Sequence, residues 1–223
     1  MSKISQFFKK YDLGFENFQI LNYFLSVFFC LKVWLVPSQS DATFITNGIQ
    51  LFVVEFLMMH SGVFLSVFAR SKKFFLIALL YGLMIYGLAK SFQNNYYFYL
   101  YLLIVMNRMR VGFSANPVFF VRGIAMSIAG GLFFLVAGIS MAILENWIPQ
   151  FGLTETYLTQ SGFRWQNART GGMLVDKPQT VMYFWIVYFS LWIWFEFYIR
   201  DKFKDFEDFD VSEVFWSFTK RGF

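Results

Sequence analysis

The sequence predicts an all-α integral membrane protein with six transmembrane helices, both termini cytoplasmic, and a short amphipathic helix in the cytoplasmic tail. Three observations predict it. The chain is 57% hydrophobic and only 15% charged, whereas soluble domains carry about 25% charged residues. Six apolar stretches approach or exceed the about 20 residues that carry a helix across a hydrocarbon core roughly 30 Å thick. The basic residues then gather on one side of the resulting arrangement. With 33 Phe, 12 Tyr and 7 Trp in 223 residues, the apolar surface exceeds what a single water-exposed globule of this size can bury.

The spans fall at about 18–36, 49–69, 73–91, 94–111, 116–145 and 180–199, so residues 1–199 form one transmembrane domain. The leader "MSKISQFFKKYDLGFENF" lacks the pattern of a cleavable signal, and the first span is expected to be retained. The fourth span is the shortest, because "YYFYLYLLIVM" holds eleven apolar residues before Asn107 and Arg108. It crosses only if its polar flanks snorkel. The fifth is long enough to tilt or project. Fourteen of the 19 Lys and Arg residues fall on one side of this arrangement, four on the other, and Lys32 lies inside the first span. That bias places both termini in the cytoplasm, which is the inner side of a cytoplasmic membrane in a bacterium.

Residues 146–179 form an outer loop with turn signals at Gly171, Gly172 and Pro178. It is read as a surface-lying connector, or else as a cap. Its Trp147, Phe151, Tyr157, Phe163 and Trp165 suit the membrane interface. The cytoplasmic tail, 200–223, has capping-box-like spacing at Asp210 and Glu213, followed by apolar residues through Phe218.

Charges within hydrocarbon cost several kcal/mol unless they are paired or reach the surface. Lys32 lies near the outer end of the first span, and Glu55 near the outer end of the second. An antiparallel hairpin brings them to similar depth. Either they pair, or Lys32 snorkels outward and Glu55 takes up a proton. His60, the only histidine in the chain, lies near the middle of the expected span. Five helical residues turn about 140° net, so Glu55 and His60 do not share a face. Glu55, Gly62, Ser66 and Ala69 form one stripe of polar and small residues; His60 faces elsewhere, near Phe56, Leu57, Val63 and Phe64. His60 is read as a hydrogen-bonded structural residue, or as a proton-relay or substrate contact.

No cofactor and no metal is expected. A single histidine cannot give bis-His haem ligation, and the neighbouring Met58 and Met59 cannot reach the opposite face of a haem held by His60. One cysteine, Cys30, permits no intrachain disulfide and is read as a packing residue. Arg108, Arg110 and Arg122 cluster at the cytoplasmic mouth, where they set topology or hold a lipid phosphate or the acidic tail. In the fifth span Gly123, Ser127 and Gly131 recur every four residues and permit close helix packing.

No nucleotide-binding, metalloprotease or nucleophile-elbow motif occurs. The residues favour a non-enzymatic membrane protein or an accessory subunit of a membrane complex. The competing reading is a small transporter or channel with a polar path near Glu55 and His60. The expected partners are the lipid bilayer and either a second copy or a different membrane subunit. Nucleic acid is not among them, because topology accounts for the excess positive charge.

Overall fold

The computed structural model describes residues 3–68, 71–113, 117–167 and 171–204, with side chains described at 17–65, 67–68, 71–106, 124–165, 167 and 171–199. The tail helix expected beyond Asp210, the side chains of Arg108, Arg110, Arg122 and Ser66, and the surroundings of Gly123 lie outside the described residues. Within them the chain forms helices α1 (Lys3–Leu35), α2 (Asp41–Val67), α3 (Lys73–Ser91), α4 (Tyr96–Phe113), α5 (Pro117–Leu144), α6 (Glu155–Gln160), α7 (Phe163–Gln166), α8 (Met173–Asp176) and α9 (Gln179–Lys204), and no strand.

Five helices contain stretches long and apolar enough to cross a membrane: Asn17–Leu35, Asp41–Leu65, Lys73–Ser91, Ile124–Leu144 and Gln179–Ile199. This is consistent with a multi-pass integral membrane protein. In α4 the described apolar segment is only Tyr96–Met106. At 1.5 Å per residue its 11 residues cover about 16 Å, half of a hydrocarbon core.

The described residues divide into two compact units, one built from the segments up to Thr46 and from Val136 onward, the other from Asn47–Leu135. In the first unit α1 packs along α9. The face of α1 that carries Tyr23, Cys30, Val33 and Trp34 turns inward at close to a 3.5-residue period. Tyr23 stacks on Phe189 at 6.0 Å and on Trp192 at 5.8 Å between ring centroids. Burial of Cys30 matches its reading as a packing residue.

Pro37 cannot continue α1, and the chain turns over Ser38 into α2. The Asp41 carboxylate accepts the Ser38 amide at 2.6 Å and its hydroxyl at 2.8 Å. It also takes the Lys32 ammonium, which makes a second bond to the Ser38 hydroxyl at 3.3 Å. An acid three residues after a serine, reaching back to the serine amide, is the second half of a capping box. This starts α2 at Asp41, eight residues before the span expected from 49. Glu55 therefore lies beside the helix centre at Val54 rather than near an end of the span. His60 lies about 9 Å beyond that centre rather than at the expected midpoint.

Residues 145–167 and 171–178 are a folded cap within this first unit rather than a bare connector. Ile148, Leu153, Leu158, Phe163 and Val175 are buried. The Trp34 indole donates to the Pro149 carbonyl at 2.9 Å, the Gly152 amide donates to the Trp34 carbonyl at 3.0 Å, and the Tyr157 hydroxyl donates to the Ser38 carbonyl at 2.8 Å. Asn167 donates to the Thr46 hydroxyl at 3.0 Å and to the Phe163 carbonyl at 3.0 Å. Lys177 closes the far side on Glu145 at 3.0 Å and Asn146 at 2.6 Å. Of the aromatic residues expected at the interface, Trp147 is 84% and Trp165 80% exposed, while Phe163 is completely buried.

Arg164 is the electrostatic centre of the cap. It grips Glu155 with two parallel bonds at 3.0 and 2.7 Å and donates to the carbonyls of Val175 at 2.8 Å and Asp176 at 3.3 Å. The guanidinium holds the Glu155 carboxyl below its usual range, and the carboxylate in turn raises the Arg164 pKa. Glu155 is mostly exposed, so solvent screens the ion pair. The bonds that matter more are those to the two carbonyls, which tie α7 to α8. Arg164→Ala is therefore expected to lower stability by about 2–3 kcal/mol and Glu155→Gln by less than about 1 kcal/mol. Thermal unfolding of the two variants in detergent measures the difference, and equal effects would show that the ion pair dominates after all.

In the second unit α3 and α4 form a hairpin. The α3 terminus closes with paired backbone bonds, Asn94 amide to Ala89 carbonyl at 2.9 Å and Gln93 amide to Lys90 carbonyl at 3.2 Å, with Gln93 at φ 54°. These are the two bonds of a Schellman motif, here with glutamine in the left-handed position usually given to glycine. The Asn94 side chain then caps α4 by accepting the Tyr96 amide at 3.1 Å. Tyr97 and Tyr101 pack into a cluster with Val54, Met58, Ile85 and Ala89. Their hydroxyls are satisfied: Tyr101 donates to the Ala78 carbonyl at 2.8 Å, and Tyr97 to Gln50 at 3.1 Å. Each tyrosine thus buries its ring and still makes its hydrogen bond.

Candidate functional site

From Asn47 onward α2 separates two faces. Val54, Met58, Ser61 and Leu65 are buried and recur at spacings of four, three and four residues. Phe56, His60, Phe64 and Val67 are exposed and follow the opposite line. Ser61 is completely buried and closes its hydroxyl on the Met58 carbonyl at 2.8 Å, so it leaves no open donor on the inner face.

His60 lies on the exposed line, between Phe56 and Phe64, the neighbours that helical geometry gives it. Its Nδ1 lies 2.7 Å from the Phe56 carbonyl oxygen, one turn back. A carbonyl can only accept, so Nδ1 donates this bond, and in that tautomer Nε2 is left as an acceptor. The imidazole also rests on the Phe56 ring, with 4.2 Å between centroids. Phe56 in turn meets Phe134 of α5 at 5.9 Å, and Phe52 meets Phe134 at 5.0 Å. An aromatic strip along α2 and α5 therefore fixes the ring orientation and leaves Nε2 pointing away from the helix backbone.

Among the described residues the structure does not gather the remaining candidates around His60. Glu55 is half-buried on a different side of α2. Lys32 is held at the junction of α1 and α2 by Asp41 and Ser38, partners that the sequence reading passed over. The S-x-x-D spacing at Ser38 and Asp41 was the available signal. Arg164, also passed over, is held by groups that come together only when the cap folds. In α5, Ser127 is buried, whereas a Cβ added at Gly131 would meet nothing within 4 Å. Among the described residues no three His, Cys, Asp or Glu side chains come together as a metal site.

A groove of about 380 Å³ runs between α3 and α4, almost wholly apolar, and neither Glu55 nor His60 lines it. The arrangement at His60 offers a fixed hydrogen-bond acceptor on an aromatic helix face. Among the described residues no cluster of His, Cys, Asp or Glu side chains accompanies it there. No protein-family model, no curated protein and no solved structure matches the chain.

Proposed function

We propose that this chain is a non-enzymatic membrane subunit that joins a larger membrane assembly through the exposed face of α2. The observation that carries this reading is the orientation of His60. Its Nδ1 is used within the helix, and its Nε2 is an acceptor on a face otherwise made of Phe and Val. Hydrocarbon offers that acceptor no donor. A helix of another membrane chain that presents a hydroxyl, amide or indole N–H at that depth would satisfy it. The flanking rings of Phe56 and Phe64 would supply the packing around the bond.

A carrier would need a polar cavity at Glu55 or His60. The α3–α4 groove is apolar and lies elsewhere, so it lends that reading no support.

Hydrogen bonds between membrane helices contribute about 0.6–2 kcal/mol, which is roughly a 3- to 30-fold change in affinity. His60→Leu keeps the face apolar and removes the acceptor. The expected result is an assembly that dissociates at correspondingly lower detergent dilution, with unchanged thermal unfolding of the chain itself. Wild-type protein taken from its native membrane in mild detergent and found by native mass spectrometry only as a single chain would sink the proposal.

A further inference from the structure

We propose that the α3–α4 hairpin carries a binding site for an anionic phospholipid, with one acyl chain in the apolar groove and the phosphate at Lys90. The groove is built from two helical ridges. On α3, Leu79, Gly82, Leu83 and Tyr86 follow one face. On α4 the floor is Tyr101, whose ring approaches closely enough that a Cβ at Gly82 would lie 3.2 Å from it. Tyr86 and Phe98, edge to face at 5.4 Å, close one end.

Lys90 extends the α3 ridge one turn beyond Tyr86. Its ammonium lies 5.4 Å from the centre of the Tyr86 ring, over the end of the groove. The Schellman turn stops the helix directly after it, so the charge sits where α3 leaves hydrocarbon. From Lys90 to the deepest lining residue, Ala78, the ridge runs about 18 Å. One leaflet of hydrocarbon is about 15 Å deep, so an acyl chain anchored at Lys90 follows the groove to its end.

Charge complementarity argues for this occupant over another apolar helix. From residue 56 to 144 the sequence contains no Asp or Glu, and Lys90 is the basic residue at the α3–α4 turn. Neither α3 nor α4 can offer Lys90 a carboxylate. An anionic headgroup provides the missing charge. This site is separate from the His60 face and does not depend on the subunit reading.

The test uses the full chain reconstituted in phosphatidylcholine vesicles doped with phosphatidylglycerol, then released into mild detergent and analysed by native mass spectrometry. Wild-type protein is expected to retain phosphatidylglycerol in preference to phosphatidylcholine. Lys90→Gln should weaken that retention about fivefold and Lys90→Arg should restore it. Leu83→Trp, which fills the exposed side of the groove, should abolish retention without altering thermal unfolding. Equal retention of the two lipids by wild type would overturn the proposal, as would indifference to both Lys90→Gln and Leu83→Trp. A Leu83→Cys chain that forms a disulfide with a second copy in lipid would also overturn it, because the groove would then seat protein.

Discussion

Gly152→Ala is expected to detach the cap. A Cβ at this position would lie 2.2 Å from Cδ of Pro37 and 2.6 Å from the Leu35 carbonyl oxygen. Neither neighbour can turn aside: one is a proline ring and the other is backbone at the end of α1. The residue that must move is 152 itself, and with it the bond from its amide to the Trp34 carbonyl. Overpacking of about 1–3 kcal/mol adds to a lost hydrogen bond of about 1 kcal/mol, giving about 2–4 kcal/mol in all. Thermal unfolding and limited proteolysis between residues 145 and 178 are the measurements. Faster cleavage there, with the hairpin of α3 and α4 still protected, is the expected pattern; wild-type protection of the cap would contradict it.

Phe163→Ala should be at least as severe, for a different reason. Phe163 begins α7 and is completely buried, although its position in an outer loop reads as interfacial. Truncating a buried phenylalanine costs about 3–5 kcal/mol, because the lost packing is joined by the cavity left behind. Its carbonyl also receives both the amide and the side chain of Asn167, so a shift in α7 would disturb the link from Asn167 to Thr46. Trp165, two residues on and 80% exposed, serves as the control. Trp165→Ala should leave unfolding within about 0.5 kcal/mol of wild type. Comparable losses in the two variants would mean that α7 does not pack as described.

The pair shows what a sequence of this kind reveals. Length and apolarity locate the helices, and five of the expected spans correspond to helices long and apolar enough to cross. The start of α2 was hidden because residues 41–48, "DATFITNG", are too polar to extend an apolar window; a carboxylate bonded to Ser38 sets that boundary instead. The cap was hidden for the opposite reason. Ile148, Leu153, Leu158, Phe163 and Val175 follow no helical or strand period, so nothing in their spacing separates core from interface. The separation of Glu55 from His60 was legible, since it depends only on the turn per residue. Which of those faces would be covered was not legible, because α2 is apolar on nearly every side and its pattern selects no inward direction.

The partnership of α1 with α9 also sets an order of events in the cell. Tyr23 meets rings at 189 and 192, which the ribosome adds more than 160 residues later. At about 5–20 residues per second this is a wait of roughly 8–30 s. Throughout it the side of the first helix that packs along α9 lacks that partner. Other membrane factors have that interval to shield the helix or to divert it.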